Sequence, residues 1–534
     1  MTLEPAPPAE TILAPHSPPR PRPSRRVGSP WWAWVAASVV LLPALVPFGA
    51  LVARVAAAGT RSLEIALSGR TAELIWNTTQ LVVLVTASAA VIGVGAAWLT
   101  ERTQLPARRV FRLTAALPLV IPSYVIALTL LSALGPAGIL ADATGLSIAA
   151  PTGLLGAWIA LTLSTYPFVY LTSAAALRRL DPALEEAARG LGSSPAKVFR
   201  TIVVPQLRPA IAGGLLLVAL YSLSDFGAVS LVRFDSFTRV VYAQYAGRLD
   251  RTPAAVLAVV LVLLALFVLW AEARTRGRAA YYGRSVPRPV RLMPLRPGAR
   301  AAAVSSLTVL ALVSLALPVG TLVTWMTRGS GTAFEWGAAW GSLIGSALAA
   351  VLAVAVALPT GLLVTRYASR RTRWVETASY AVFALPHITV GLAVVFFASR
   401  YLGGLYQSLA LLVLVYASIF FAQALGPVRA SMLQVSPALE EASRSLGAGR
   451  IRTMLRVTAP LVRRGLVAGG LLVFLTTMKE LPATLLLRPT EFDTLAVRIW
   501  SASSELLYAR AAGPAVLLLA VSALPMYLLA TRER

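Results

Sequence analysis

The sequence has no cysteine, two histidines and only two lysines, Lys197 and Lys479. Without cysteine there is no disulfide framework, thiolate metal site, cysteine nucleophile or iron–sulfur cluster. Two histidines, His16 and His387, argue against a zinc hydrolase or a two-histidine metal site. Charge is scarce as well: charged residues make up 13% of the 534, against about 25% in ordinary globular domains. Acids are scarcest, with Asp and Glu together numbering 22 against 48 Lys and Arg, a net charge of +26. What is abundant is apolar, 57% of the chain, at a mean hydropathy of +0.73. That excludes a disordered chain, which needs low hydrophobicity, and argues against the several soluble domains that this length allows. The basic residues sit between long apolar runs, unlike those of a soluble nucleic-acid binder.

A bilayer core about 30 Å thick is crossed by about 20 apolar helical residues. Such runs lie near 31–56, 76–99, 111–134, 149–173, 210–232 and 253–271, then near 301–326, 340–364, 375–398, 406–427, 465–487 and 511–530. Twelve spans put both termini on one side. The stretches 1–30, 100–112, 174–209, 272–300, 365–374, 428–464 and 531–534 carry 35 of the 48 basic residues. Positive loops stay inside, so both termini are expected in the cytoplasm. Residues 1–30, rich in Pro, Ser and Arg, read as a disordered cytoplasmic tail. The competing reading is a cleaved signal peptide, but the first apolar run is too long for one. Residues 273–300 read as a basic linker, with lipid headgroup binding a possible added role, between halves at 31–272 and 301–530. Residues 531–534 form the other tail. Trp31, Trp32 and Trp34 fit an interfacial aromatic belt.

The halves repeat. Pro182-Ala-Leu-Glu-Glu-Ala-Ala-Arg-Gly-Leu-Gly192 matches Pro437-Ala-Leu-Glu-Glu-Ala-Ser-Arg-Ser-Leu-Gly447 at nine of eleven positions, 255 residues apart. Pro205 pairs with Pro460, Asp225 with Glu480, Arg233 with Arg488 and Phe237 with Phe492. Pro122 pairs with Pro386 at an offset of 264, which puts about nine extra residues in the first half near 135–148. Two six-span units of the same orientation form a parallel repeat about a pseudo-two-fold axis along the membrane normal.

The repeated loop has a readable local structure. Leu184–Leu191 is a short helix with Glu185 and Glu186 in its first turn, where the helix dipole favours acids. Gly192 supplies a left-handed end, Ser194 a cap and Pro195 a first helical residue. A second short helix follows, with Val198, Phe199, Ile202 and Val203 on one apolar stripe, Lys197 and Arg200 off it, and Pro205 at its end. In the second copy Gly447 makes the bend, while Met454 and Val457 replace Phe199 and Ile202. One such loop alone would read first as an interfacial anchor. Two matched loops suit a partner made of two similar subunits.

Here the residues resemble the EAA motif of ABC importer permeases: Glu186-Ala187-Ala188, then Gly192, Ile202 and Pro205. The second copy is Glu441-Ala442-Ser443, Gly447, Val457 and Pro460, with Ser443, Val457 and Ala459 departing from the pattern. The resemblance implies an all-α membrane protein with the type I (MetI-like) importer permease fold. It implies that each loop docks on a cytoplasmic ATPase subunit, with Glu186 and Glu441 marking the sites. It also implies an extracytoplasmic solute-binding protein. The chain has no G-x-x-x-x-G-K-[ST] phosphate loop and no catalytic constellation. It is expected to bind no cofactor, ATP and magnesium being used by the partner ATPase dimer.

Charges inside spans are functional candidates. Asp225, Lys479 and Glu480 read as a gate or pathway. They read equally as a structural set, with Lys479 paired to Asp225 or the acids capping broken helices. His387 aligns with Ser123, and a polar residue at a helix break is its plainer reading, a ligand the other. The segments Ser224–Thr238 and Met478–Pro489, extended through Ala496, look like those of fused ferric-iron permeases. Fe(III) favours oxygen ligands, which carboxylates supply. Thiamine permeases share the length and repeat, followed by phosphonate and polyamine permeases. Readings from other classes are a membrane scaffold or sensor and an ion-coupled secondary transporter.

Overall fold

The computed structural model describes residues 29–135, 138–145, 148–180, 182–247, 249–275, 292–328 and 334–532. Residues 1–28 of the expected tail and 276–291 of the expected linker lie outside that set. Among the described residues there is no strand, only one isolated bridge between Thr103 and Met293. Eight helices are long and apolar enough to cross a membrane, and three bent pairs bring the count to eleven. The twelfth expected span falls on the helix Tyr508–Arg532.

The spans expected at 111–134 and 375–398 are not straight. Each is a pair of helices, Arg108–Val120 with Ser123–Ala133 and Arg370–Ala384 with His387–Tyr401, bent by 99° and 102°. The breaks fall at Pro122 and Pro386, which lack an N–H and push Ile121 and Leu385 into extended backbone. The extra residues of the first half form a short helix, Ile139–Thr144. The helices flanking the linker are longer than expected, one running to Thr275 and the next starting at Pro297.

The first helix of each half lies against the other half. Trp31–Ala57 packs on Trp336–Arg366, His387–Tyr401 and Leu409–Gln434, and Leu317–Arg328 packs on Ser123–Ala133. The sixth helices pack mainly within their own half but also touch the other, Thr252–Thr275 on His387–Tyr401 and Tyr508–Arg532 on Ser123–Ala133, and two composite cores result. One joins Ala37–Leu51 and Ala254–Ala265 to residues of the second half from Ala349 to Leu487. The other joins Leu81–Phe234 to Ala303–Leu322 and to Leu495–Leu518. Small residues allow the closest crossings. A Cβ on Gly214 would stand 2.9 Å from the Val169 Cα, and one on Gly469 would stand 3.0 Å from the Ala424 Cα. Both members of each pair are repeat equivalents, so the two halves cross their helices in the same way.

Candidate functional site: a charged helix break and two loop joints

Two places bring the sequence candidates together. The first is a cavity of about 270 Å³ between the halves, lined among others by Ser123, Asp225, His387, Gln423, Lys479 and Glu480. It sits where four helices break. Val204–Ser224 ends at Asp225 and Arg463–Met478 ends at Lys479, each followed by a short helix, Gly227–Leu231 or Pro482–Leu487. Asp225 caps the first of these: its Oδ1 accepts from the backbone N–H groups of Ala228 at 3.0 Å and Val229 at 3.3 Å. Its Oδ2 accepts from the Ser123 hydroxyl. Glu480 repeats the plan, with Oε1 accepting from Ala483 N–H at 3.0 Å and Oε2 lying 2.8 Å from His387 Nδ1. Ser123 and His387 are the first residues after the two bends. Each carboxylate therefore binds one backbone segment and one side chain from another broken helix, the capping arrangement that satisfies freed backbone groups at membrane depth.

Lys479 does not pair with Asp225. Its Nζ donates to the carbonyl of Leu119 at 3.0 Å, in the other half. That carbonyl belongs to the 3-10 turn Leu117–Val120. Its donor at i+3 would be Pro122, which has no N–H, so the lysine satisfies an acceptor that the proline orphans. The repeat equivalent of Lys479 is Ser224, so the latch is one-sided.

The second place is the repeated loop. Gly192 and Gly447 take φ +82° and +84°, the left-handed end that glycine adopts cheaply. Ser436 caps the second loop helix, Pro437–Ser445, and Ser194 accepts from Lys197 N–H at 3.4 Å. Val198 and Val203 are buried, Phe199 and Ile202 half-buried, and Lys197 and Arg200 exposed, as the stripe predicts. One expectation fails: Pro205 does not end the second helix. That helix passes through a π-helical turn, Phe199–Val203, straight into Val204–Ser224, and Pro205 lies inside the continuous run just after the turn. The second loop has the same π turn at Met454–Thr458, then bends by 79° into Arg463–Met478.

Glu186, Ala187, Glu441 and Ala442 are exposed, along with Gly192, Gly447 and Pro460; Ala188, Ser443, Ile202, Val457 and Pro205 are half-buried. The sequence reading missed the acid just before each exposed one. Glu185 and Glu440 are buried, 2% and 6% exposed. Glu185 meets Arg102 at 3.1 Å and Glu440 meets Arg366 at 3.2 Å. Arg102 and Arg366 share the 264-residue offset of Pro122 and Pro386. That offset was the available signal.

Helix bundles crossing a membrane, a polar cavity where they break, and two matched exposed loops define a solute-conducting membrane protein. The family description "Binding-protein-dependent transport system inner membrane component" matches residues 89–275 and again 357–532. The chain belongs to that family, the permeases of ABC importers, and carries its domain twice. The Fe(3+)-transport system permease protein FbpB 2 of Haemophilus influenzae is 33% identical over 509 residues, 94% of this chain and 98% of that protein. A probable ABC transporter permease of Sinorhizobium fredii, y4fN, is 25% identical over 88% of both chains. A probable sulfate transport system permease protein, cysT, of Nephroselmis olivacea is 28% identical over 46% of this chain and 90% of its own length. That relative corresponds to about one half of the repeat.

Proposed function

We propose that this chain conducts ferric iron across the bacterial inner membrane as the permease of an importer. Its termini and repeated loops face the cytoplasm, as the concentration of basic residues in those stretches indicates. A solute-binding protein delivers the ion to the opposite face. A separate ATPase dimer, using ATP and magnesium, docks on the loops through Glu186-Ala187-Ala188, Gly192, Ile202 and Pro205 and through Glu441-Ala442-Ser443, Gly447, Val457 and Pro460. The observation that carries the solute is the likeness, along nearly the whole chain, to a permease named for Fe(3+) transport. The cavity chemistry agrees with it. Asp225 and Glu480 offer oxygen, which Fe(III) favours. Among the described residues no three acids or imidazoles converge to hold a metal ion, and a conduit must bind weakly enough to release.

The cycle follows from the geometry. With the halves closed, Lys479 bonds the Leu119 carbonyl and the two carboxylates stay on their caps. ATP-driven closure of the ATPase dimer moves the two loops. The halves rock, the helix breaks shift, and the cavity opens to each side in turn. Glu186→Lys combined with Glu441→Lys tests the docking. The expected result is a protein that inserts and purifies normally but no longer co-purifies with its ATPase. Co-purification and normal uptake by the double variant would refute it.

A further inference from the structure

The loop helices are joined to their neighbours in sequence through glycines of left-handed conformation and through π-helical turns. A loop held only at its two ends would absorb a push from a docked partner. Each loop has a third attachment, built the same way twice. Arg102 is the last residue of the long helix Gly69–Arg102. Its Nη2 donates to the Leu177 carbonyl at 2.9 Å and lies 3.1 Å from Glu185 Oε1. Arg366 is the last residue of Trp336–Arg366. Its Nη2 donates to the carbonyls of Met432 at 3.2 Å and Val435 at 2.8 Å, and to Glu440 Oε1 at 3.2 Å. Leu177 and Met432 are repeat equivalents, as are Glu185 and Glu440. In each half one guanidinium thus ties three pieces together: the end of one long helix, the end carbonyls of a second, and the loop helix.

We infer that Arg102–Glu185 and Arg366–Glu440 are the joints through which loop displacement reaches the transmembrane helices. This rests on the docking reading above. Within each loop the two adjacent acids divide the work: the exposed one, Glu186 or Glu441, faces the partner, and the buried one faces the protein's own bundle. Helix ends present orphan carbonyls and negative partial charge. Arginine's rigid planar fork holds such carbonyls and a carboxylate in one fixed geometry, whereas a lysine ammonium is a point charge on a flexible stem. The two long helices tied at each joint pack along each other, Gly69–Arg102 on Gly153–Arg179 and Trp336–Arg366 on Leu409–Gln434. The second of each pair lines the cavity, through Ser164 and Phe168 or through Phe420 and Gln423. A rigid line therefore runs from loop to joint to helix pair to cavity wall. Arg102 and Arg366 are positioning residues and touch no solute.

The test uses the full chain in proteoliposomes with its ATPase dimer and binding protein. ATPase co-purification, ATP hydrolysis and solute uptake are measured for Arg366→Ala, Arg366→Lys and Glu440→Gln. For Arg366→Ala the ATPase stays bound and hydrolysis continues, while solute moved per ATP falls by about tenfold or more. Arg366→Lys, which keeps the charge but not the fork, gives an intermediate ratio. Glu440→Gln, nearly isosteric, carries the test if the alanine variant does not fold, and its ratio falls in the same direction. An unchanged ratio in a folded variant overturns the joint. Loss of ATPase binding in these variants also overturns it, since the pair would then belong to the docking surface. The docking reading fails separately, if Glu186→Lys with Glu441→Lys still retains the ATPase.

Discussion

Single residues set how tightly the two halves close on each other. Asp225 and Glu480 are committed to caps, so the one described side-chain bond that crosses the cavity from a cation is that of Lys479 to Leu119. A hydrogen bond made by a charged group contributes about 1.5–3 kcal/mol, or roughly tenfold or more in the closed-to-open ratio. Lys479→Met is therefore expected to raise passive, ATP-independent solute leak from proteoliposomes by about tenfold, and Lys479→Arg to raise it less. Unchanged leak in the methionine variant would show that closure rests elsewhere. The candidates at this scale were only partly legible. Asp225, Lys479, Glu480 and His387 stand out as polar letters in apolar runs, and the structure brings all four to one cavity. What each does was hidden, because Lys479 finds its partner 360 residues away in the chain. The Leu119 acceptor is a backbone carbonyl that no side-chain pattern marks.

At the scale of helices, the apolar runs located the elements and the repeat located the loops. A helix break beside His387 is legible in the sequence, but proline alone does not mark the bends at Pro122 and Pro386. Pro43, Pro47, Pro167, Pro359 and Pro427 all lie inside unbroken helices. A membrane bundle re-satisfies freed backbone groups and so tolerates proline within a helix. The difference at Pro122 and Pro386 is that the preceding residue is extended and that Ser123 or His387 finds a carboxylate across the break. The same logic explains Pro205, which lies within a continuous helix where it was expected to close one. Close crossings make a sharper prediction. A Cβ on Gly213 would meet nothing within 4 Å, whereas one on its neighbour Gly214 would stand 2.6 Å from the Thr172 hydroxyl and 2.9 Å from the Val169 Cα. Gly214→Leu should destabilise by about 1–3 kcal/mol through overpacking and lower the melting temperature in detergent. Gly213→Leu should leave it nearly unchanged. Equal melting temperatures for the two would contradict the crossing.

For the whole molecule, contacts of the first and sixth helices with the opposite half make each core composite, so neither half buries all of its apolar surface alone. Periodicity and repeat could count spans but not say which half a helix leans on, because every span is apolar on several sides. This sharing of helices also explains how one cavity is lined from both halves. The excess of arginine then falls into place. Most of it lies in the stretches that the positive-inside rule assigns to one face, and a small part, Arg102 and Arg366, is built into the loops' attachment to the bundle. The solute proposed for this assembly is ferric iron. The most direct test is uptake by proteoliposomes holding the permease, its ATPase dimer and its binding protein, with labelled ferric iron competed against thiamine. ATP-dependent accumulation of iron that excess thiamine leaves unaffected is the expected result; accumulation of thiamine in preference to iron would contradict it.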